Sequence, residues 1–215
     1  MANYTFDSAQ QRYSAVARVL HWSIAALIVF NLSVGFFMEG LVPPLKWIIV
    51  PLHFSSGITV LALSVLRLLW RLTHQPPPLS AHLSGWERKS AHVAHWTMYV
   101  LMFALPITGW ITISSHPQQP GGGPMLWGLV HLPPIGPVAH LDETVQKSVN
   151  DAFATAHSIG GYLFLALFLL HVAGALKHQF FDGERQLARM GIGRLDGGKR
   201  AGLTPVGREQ RSPGR

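Results

Sequence analysis

Four stretches of 20 residues or more contain no Asp, Glu, Lys or Arg: residues 19–38, 47–66, 90–115 and 152–176. About 20 residues at 1.5 Å rise match a hydrocarbon core of roughly 30 Å. Backbone amides in lipid must find partners inside their own segment, so the pattern predicts helices and not strands. Extended over their flanks, the stretches predict helices at 14–38, 47–72, 86–114 and 150–181. The expected fold is all-α, an integral membrane four-helix bundle over residues 13–181. Between the second and third helices, Pro76, Pro77 and Pro78 forbid helix and stiffen the connection. Pro106 lies inside the third helix and predicts a kink there. Residues 116–150 form the longest loop, with Gly121, Gly122, Gly123, Pro133 and Pro134, and a short amphipathic helix is expected from Asp142. Residues 1–12 are a polar N-terminal segment. Residues 182–215 form a basic tail, rich in Gly, Arg and Pro, expected to be disordered. No repeat of fixed period occurs.

Composition agrees. At 48% hydrophobic and 13% charged, 215 residues are too apolar for an ordinary soluble domain. The basic residues are distributed unevenly. Of 17 Lys and Arg, all but Lys46 and Lys147 flank the ends that share a side with the two termini. The excess of Lys and Arg marks the cytoplasmic side, so both termini and the middle loop are expected in the cytoplasm of a multi-pass inner-membrane protein. The net charge of +7 then reports topology and gives no reason to invoke nucleic acid. The first helix lacks a small-residue cleavage site after it and is read as retained. Cysteine is absent, which excludes disulfides, thiolate iron–sulfur ligation and covalent c-type haem attachment.

Histidine inside the apolar helices carries the chemistry. An imidazole in hydrocarbon is costly unless something binds it. His157 and His171 are 14 residues apart on the fourth helix, about four turns and 21 Å, so they share a face at two depths. That spacing suits two stacked haems and not one metal ion, whose ligands converge within about 2 Å. By depth, His21 is level with His171 on the inner side, and His53 with His157 on the outer side. Four rings in two level pairs fit bis-histidine ligation of two b-type haems, an arrangement suited to electron transfer.

Nearby residues extend the candidate site. Gly57 follows His53 by four, Gly160 and Gly161 follow His157 by three and four, and Gly174 follows His171 by three. Each leaves room for a porphyrin face, or alternatively for close helix packing. Arg67 and Arg71 offer charge-assisted bonds to haem propionates, or simple anchoring at the inner surface. His92 and His95 lie near the inner pair, where either is an alternative ligand to His21 or a proton carrier. His178, two turns beyond His171, is either a hydrogen-bond donor to a quinone carbonyl or an ordinary interfacial residue.

At these positions the chain resembles the bacterial cytochrome b561 family of small di-haem, quinone-linked inner-membrane cytochromes. The shared motifs are Leu20-His21-Trp22, His53-Phe54-Ser55-Ser56-Gly57, Arg67-Leu68-Leu69-Trp70-Arg71, His92-Val93-Ala94-His95, Leu105-Pro106-Ile107-Thr108-Gly109, and His157 through Tyr162 with His171 and His178. The resemblance covers about residues 10–190. It implies two haem b groups with His21, His53, His157 and His171 as axial ligands. It further implies electron transfer between a periplasmic donor and membrane ubiquinone, with superoxide or a redox protein as that donor. The outer loops hold Lys46 and Lys147 against Glu39, Asp142, Glu143 and Asp151, which gives an anion no net steering. Two other readings stand beside this one: a cytochrome b subunit of a hydrogenase or dehydrogenase complex, and a haem-free proton-coupled carrier using histidine relays.

Overall fold

The computed structural model describes residues 12–75, 77, 85–116, 124–183 and 186–193. Four long helices form the body: α1 (Ala15–Phe37), α2 (Leu45–Thr73), α3 (Gly85–Ser114) and α5 (Glu143–Phe180). All four are long and apolar enough to cross a membrane. Large apolar side chains dominate their outer surface, including Val19, Leu69, Val100 and Leu170. Such a surface is stable against lipid and not against water. The all-α, four-helix transmembrane architecture expected from the charge-free stretches is present.

Because the helices alternate in direction, the start of α1 and the end of α5 lie at one end of the bundle, here the terminal end. The α1–α2 and α3–α5 connections lie at the other, the loop end. Ser14 caps α1, accepting the Ala17 N–H at 3.2 Å, and the Trp70 indole N–H of α2 donates to the same hydroxyl at 3.0 Å. One side chain thus starts one helix and ties down the end of the next, a contact of about 1 kcal/mol for the cap alone.

Helix α1 packs along α2, α2 along α3, and α3 along α5, whereas α1 and α5 make no comparable packing. Small buried residues on α2 set the first seam. Ser56 is fully buried and donates to the Leu52 carbonyl at 2.7 Å, with Asn31 Oδ1 of α1 at 3.1 Å. The apolar core joins Ile24 and Ile28 of α1, Val60 of α2, Tyr99, Leu101 and Met102 of α3, and Phe164 of α5. Phe164 is seven residues from both His157 and His171, and Val60 is seven from His53. The core therefore lies midway between the two histidine levels and keeps water from joining them.

Three differences from the sequence expectation have physical causes. The fourth transmembrane helix was expected at 150–181, after a separate short helix. It runs unbroken from Glu143, because no Gly or Pro interrupts 143–159 and Glu143 favours a helix N-terminus. The loop expected over 116–150 is partly ordered: a hairpin, β1 (Met125–Leu126) with β2 (Val130–His131), precedes a one-turn helix, α4 (Gly136–Ala139). Trp127 pins that hairpin to α2, its backbone N–H donating to Ser55 Oγ at 2.9 Å and its indole to Thr59 Oγ1 at 3.1 Å.

The third difference concerns the tail expected to be disordered over 182–215. Residues 186–193 hold a short helix, α6 (Gln186–Arg189), folded back onto the start of α1. The Tyr13 N–H donates to the Arg189 carbonyl at 3.1 Å and the Trp22 indole to the Met190 carbonyl at 2.9 Å. Arg189 is buried, with its guanidinium over the Tyr13 ring. The rest of the tail, residues 1–11 and Gly121 to Gly123 lie outside the described residues.

Candidate haem-binding site

The unpacked interval between α1 and α5 holds the histidines. His21 of α1 faces His171 of α5 with ring centroids 6.3 Å apart, and His53 of α2 faces His157 of α5 at 6.1 Å. Two imidazoles on opposite sides of one iron, each with a metal–nitrogen bond of about 2 Å and a ring centre about 1.1 Å behind its nitrogen, have centroids about 6.2 Å apart. Both pairs meet that spacing. Among the described residues, no set of three or more His, Asp or Glu side chains gathers to hold a metal ion on its own. A ring pair needs the remaining coordination positions filled by another ligand, which a porphyrin supplies.

The loop-end pair borders a cavity of about 360 Å³, lined by Gly35, His53, Gly57, Pro106, His157 and Gly161 among others. A Cβ added at Gly57 or at Gly161 would meet nothing within 4 Å. These two glycines border open space. Gly160 does not, since its added Cβ would lie 2.9 Å from Leu105 Cδ2, so its small size serves α3–α5 packing. Gly174 faces open space.

Two glycines were missed by spacing along one helix because they act across helices. A Cβ on Gly109 of α3 would come within 3.2 Å of His157 Cε1, and one on Gly35 of α1 within 3.4 Å of His53 Cε1. Each lets a neighbouring helix approach an imidazole edge. Their signal in the sequence is glycine inside an apolar helix, where it costs about 1 kcal/mol relative to alanine.

Tautomer and orientation are set by second partners. His157 Nδ1–H donates to the Leu105 carbonyl at 2.9 Å, with Thr108 Oγ1 also at 3.1 Å. The ring's other nitrogen, Nε2, is then the free lone pair, as a metal-ligating imidazole requires. His21 differs. Arg67 Nη1 lies 2.8 Å from His21 Nδ1, and because guanidinium only donates, the neutral ring carries its proton on Nε2. Ligation through Nε2 therefore requires that proton to shift to Nδ1 and Arg67 to turn to another acceptor. A propionate is the acceptor that haem itself brings.

The remaining candidates divide. His95 lies beside the terminal-end pair, its ring centroid 5.3 Å from that of His171, closer than an intervening iron allows. His92 is exposed, with Nδ1 2.9 Å from the Arg88 carbonyl one turn back. Arg67 and Arg71 both place their guanidinium 5.8 Å from the centre of the Tyr99 ring. They stand one turn apart on α2, at the terminal-end level. His178 lies beyond the pairs, bonded to Asp182.

A family profile described as prokaryotic cytochrome b561 matches residues 12–193. Cytochrome b561 homolog 2 of Escherichia coli K12 is 28% identical over 195 residues, covering 86% of this chain and 94% of that protein. A probable superoxide oxidase, CybB, of Yersinia pestis is 28% identical over 184 residues, covering 84% and 96%. Cytochrome b561 homolog 1 of Escherichia coli K12 is 24% identical over 183 residues, covering 83% and 96%. Such membership supports an electron-transfer role and implies haem as the prosthetic group. With four apolar helices, paired imidazoles and a match over nearly its whole length, the chain belongs to the prokaryotic cytochrome b561 family.

Proposed function

We propose that the protein is a di-haem b-type cytochrome passing single electrons between a periplasmic donor and membrane ubiquinone, with both termini in the cytoplasm. The observation that carries this reading is the pair of level imidazole couples, 6.3 and 6.1 Å between ring centres, one toward each end of the bundle. His21 with His171, and His53 with His157, hold the two haems. When bound, these groups supply reversible one-electron steps at fixed depths. The orientation rests on the placement of Arg18, Arg67, Arg71 and Lys177 at the terminal end, which the positive-inside bias puts in the cytoplasm.

The chain contributes position, charge and exclusion of water. Gly57 and Gly161 leave the cavity open beside the outer pair. Val60, Met102 and Phe164 fill the space between the levels. Arg67 and Arg71 neutralise propionates at the inner level, and His178 donates to a quinone carbonyl beyond it. The named relative in Yersinia pestis supports superoxide as the donor. One superoxide gives one electron and becomes dioxygen, so two are spent for each quinone reduced to quinol with two protons.

The test is a dithionite-reduced minus air-oxidised spectrum on purified protein, with haem and protein quantified together. We expect sharp b-type α and Soret bands at about two haems per chain, as two bis-histidine sites require. A preparation that stays colourless after haem reconstitution would overturn the reading and favour the proton-coupled carrier.

A second expectation concerns Arg67. A guanidinium near the inner iron would repel the oxidised, more positive centre more than the reduced one and so raise its potential. Arg67→Gln should lower the midpoint potential of one haem by on the order of 50 mV, near the 59 mV of a tenfold one-electron change. The other haem should hold its potential. A potentiometric titration in which neither haem moves would remove Arg67 from the inner site.

A further inference from the structure

Four side chains at the terminal end form a hydrogen-bonded cluster outside the imidazole pairs. His178 Nδ1 lies 2.6 Å from Asp182 Oδ2. Lys177 Nζ donates to the same carboxylate oxygen at 3.0 Å and to Glu87 Oε1 at 2.7 Å. The cluster joins the start of α3 to the end of α5. His178 is seven residues after His171, two turns on, so it shares that face about 10 Å nearer the membrane surface.

Surface ion pairs contribute little to stability, and Lys177 alone would tie Glu87 to Asp182. What anchoring does not need is the bond to His178. A carboxylate on Nδ1 orients the imidazole and leaves Nε2 as the nitrogen that faces outward from the pair. The His178 side chain is 20% exposed and that of Asp182 is 34% exposed, so the ring is sheltered while its carboxylate reaches water. The hydrogen bonds from Lys177 and His178 hold the Asp182 carboxyl below the usual carboxylate range. Among the described residues, Asp182 is bonded to His178 and Lys177 is bonded to the same carboxylate, while Glu87 on α3 reaches the cluster through Lys177.

We propose that Asp182 is the positioning and proton-relay residue of the quinone site, acting through His178, whose Nε2–H delivers a proton to a quinone carbonyl oxygen. This rests on the quinone reading above and assigns it a proton source. For each electron the quinone accepts, the His178 imidazolium would transfer its Nε2 proton to the carbonyl oxygen. The ring becomes neutral and is recharged from cytoplasmic water beside the Asp182 carboxylate. A second electron, with a second proton reaching the opposite carbonyl oxygen from water, completes the quinol, with two electrons and two protons taken up in all.

The experiment follows reoxidation of the reduced, haem-loaded protein by decyl-ubiquinone in stopped flow, across pH, beside reoxidation by ferricyanide, which needs no proton. Asp182→Asn should slow the decyl-ubiquinone reaction at least about tenfold, the low end for loss of general-acid function. The slowing should also vary with pH, because the variant impairs proton delivery and not electron transfer. Ferricyanide reoxidation and haem spectra should stay as in the wild type, and Asp182→Glu should restore most of the rate. An unchanged rate and pH profile in Asp182→Asn would overturn the relay and leave the quinone reading standing. Equal slowing at every pH, with no rescue by glutamate, would also overturn it and mark Asp182 as structural. A wild-type protein that ferricyanide reoxidises and decyl-ubiquinone does not would overturn the quinone reading and the relay together.

Discussion

Replacing His157 or His53 with alanine should remove the outer haem and leave the inner one, so haem content is expected to fall from about two to about one per chain, as one lost bis-histidine site requires. The two sites are separable because they stand four turns apart on α5, about 21 Å, with Val60 and Phe164 packed between them. Removing both histidines together should cost no more haem than removing either, since they serve one iron. At the inner level the expected outcomes differ between neighbours. His21→Ala empties the site, because His21 stands at the spacing an iron bridges, 6.3 Å from His171. His95→Ala leaves it filled, because the 5.3 Å between His95 and His171 has no room for a metal. His92→Ala leaves both haems in place, its Nδ1 being bonded to the Arg88 carbonyl. Haem quantified against protein checks each variant, and retention of both haems in His53→Ala and in His157→Ala would sink the outer pairing.

Much of this site was legible because helices in a bilayer convert residue number into depth. A fixed rise per residue and a fixed thickness leave little freedom, so His21 and His171 had to meet at one level and His53 and His157 at the other. Side chains that act along their own helix, such as Gly57 after His53, were legible for the same reason. Contacts across helices were not. Which face of α3 turns to His157 depends on packing, so Gly109 stood in the sequence as a motif residue without a role, and Gly35 drew no notice. The roles of His92 and His95 were indistinguishable by depth alone. They diverge by about 60° around α3, three residues being 300° of rotation, and only the neighbouring helices decide which one points inward. The start of α5 was misplaced because a membrane helix can continue into water when nothing breaks it. The α6 fold-back was invisible because it depends on Trp22 and Tyr13, far away in the chain, for its bonds.

Gly160 and Gly161 show how far adjacent residues can differ, and they carry the second large expectation. They point about 100° apart on α5, and only Gly161 of the two lines the cavity. Gly161 lines it, with nothing within 4 Å of an added Cβ, while Gly160 presses on Leu105. Gly161→Leu therefore places a side chain in the cavity of about 360 Å³ without disturbing a helix contact. Leucine also gains about 1 kcal/mol of helix propensity over glycine, so the haem-free bundle should unfold no earlier than the wild type. Its outer haem should be lost, because the leucine occupies volume that the porphyrin needs. Gly160→Leu should behave in the opposite way. It drives a branched side chain into Leu105, an overpacking cost of about 1–3 kcal/mol, and lowers thermal stability before it touches haem content. The pair is read by haem stoichiometry and thermal unfolding on the same preparations. A Gly161→Leu protein with two haems would mean that the cavity beside His53 and His157 is not where the outer haem stands, whatever the spacing of the rings.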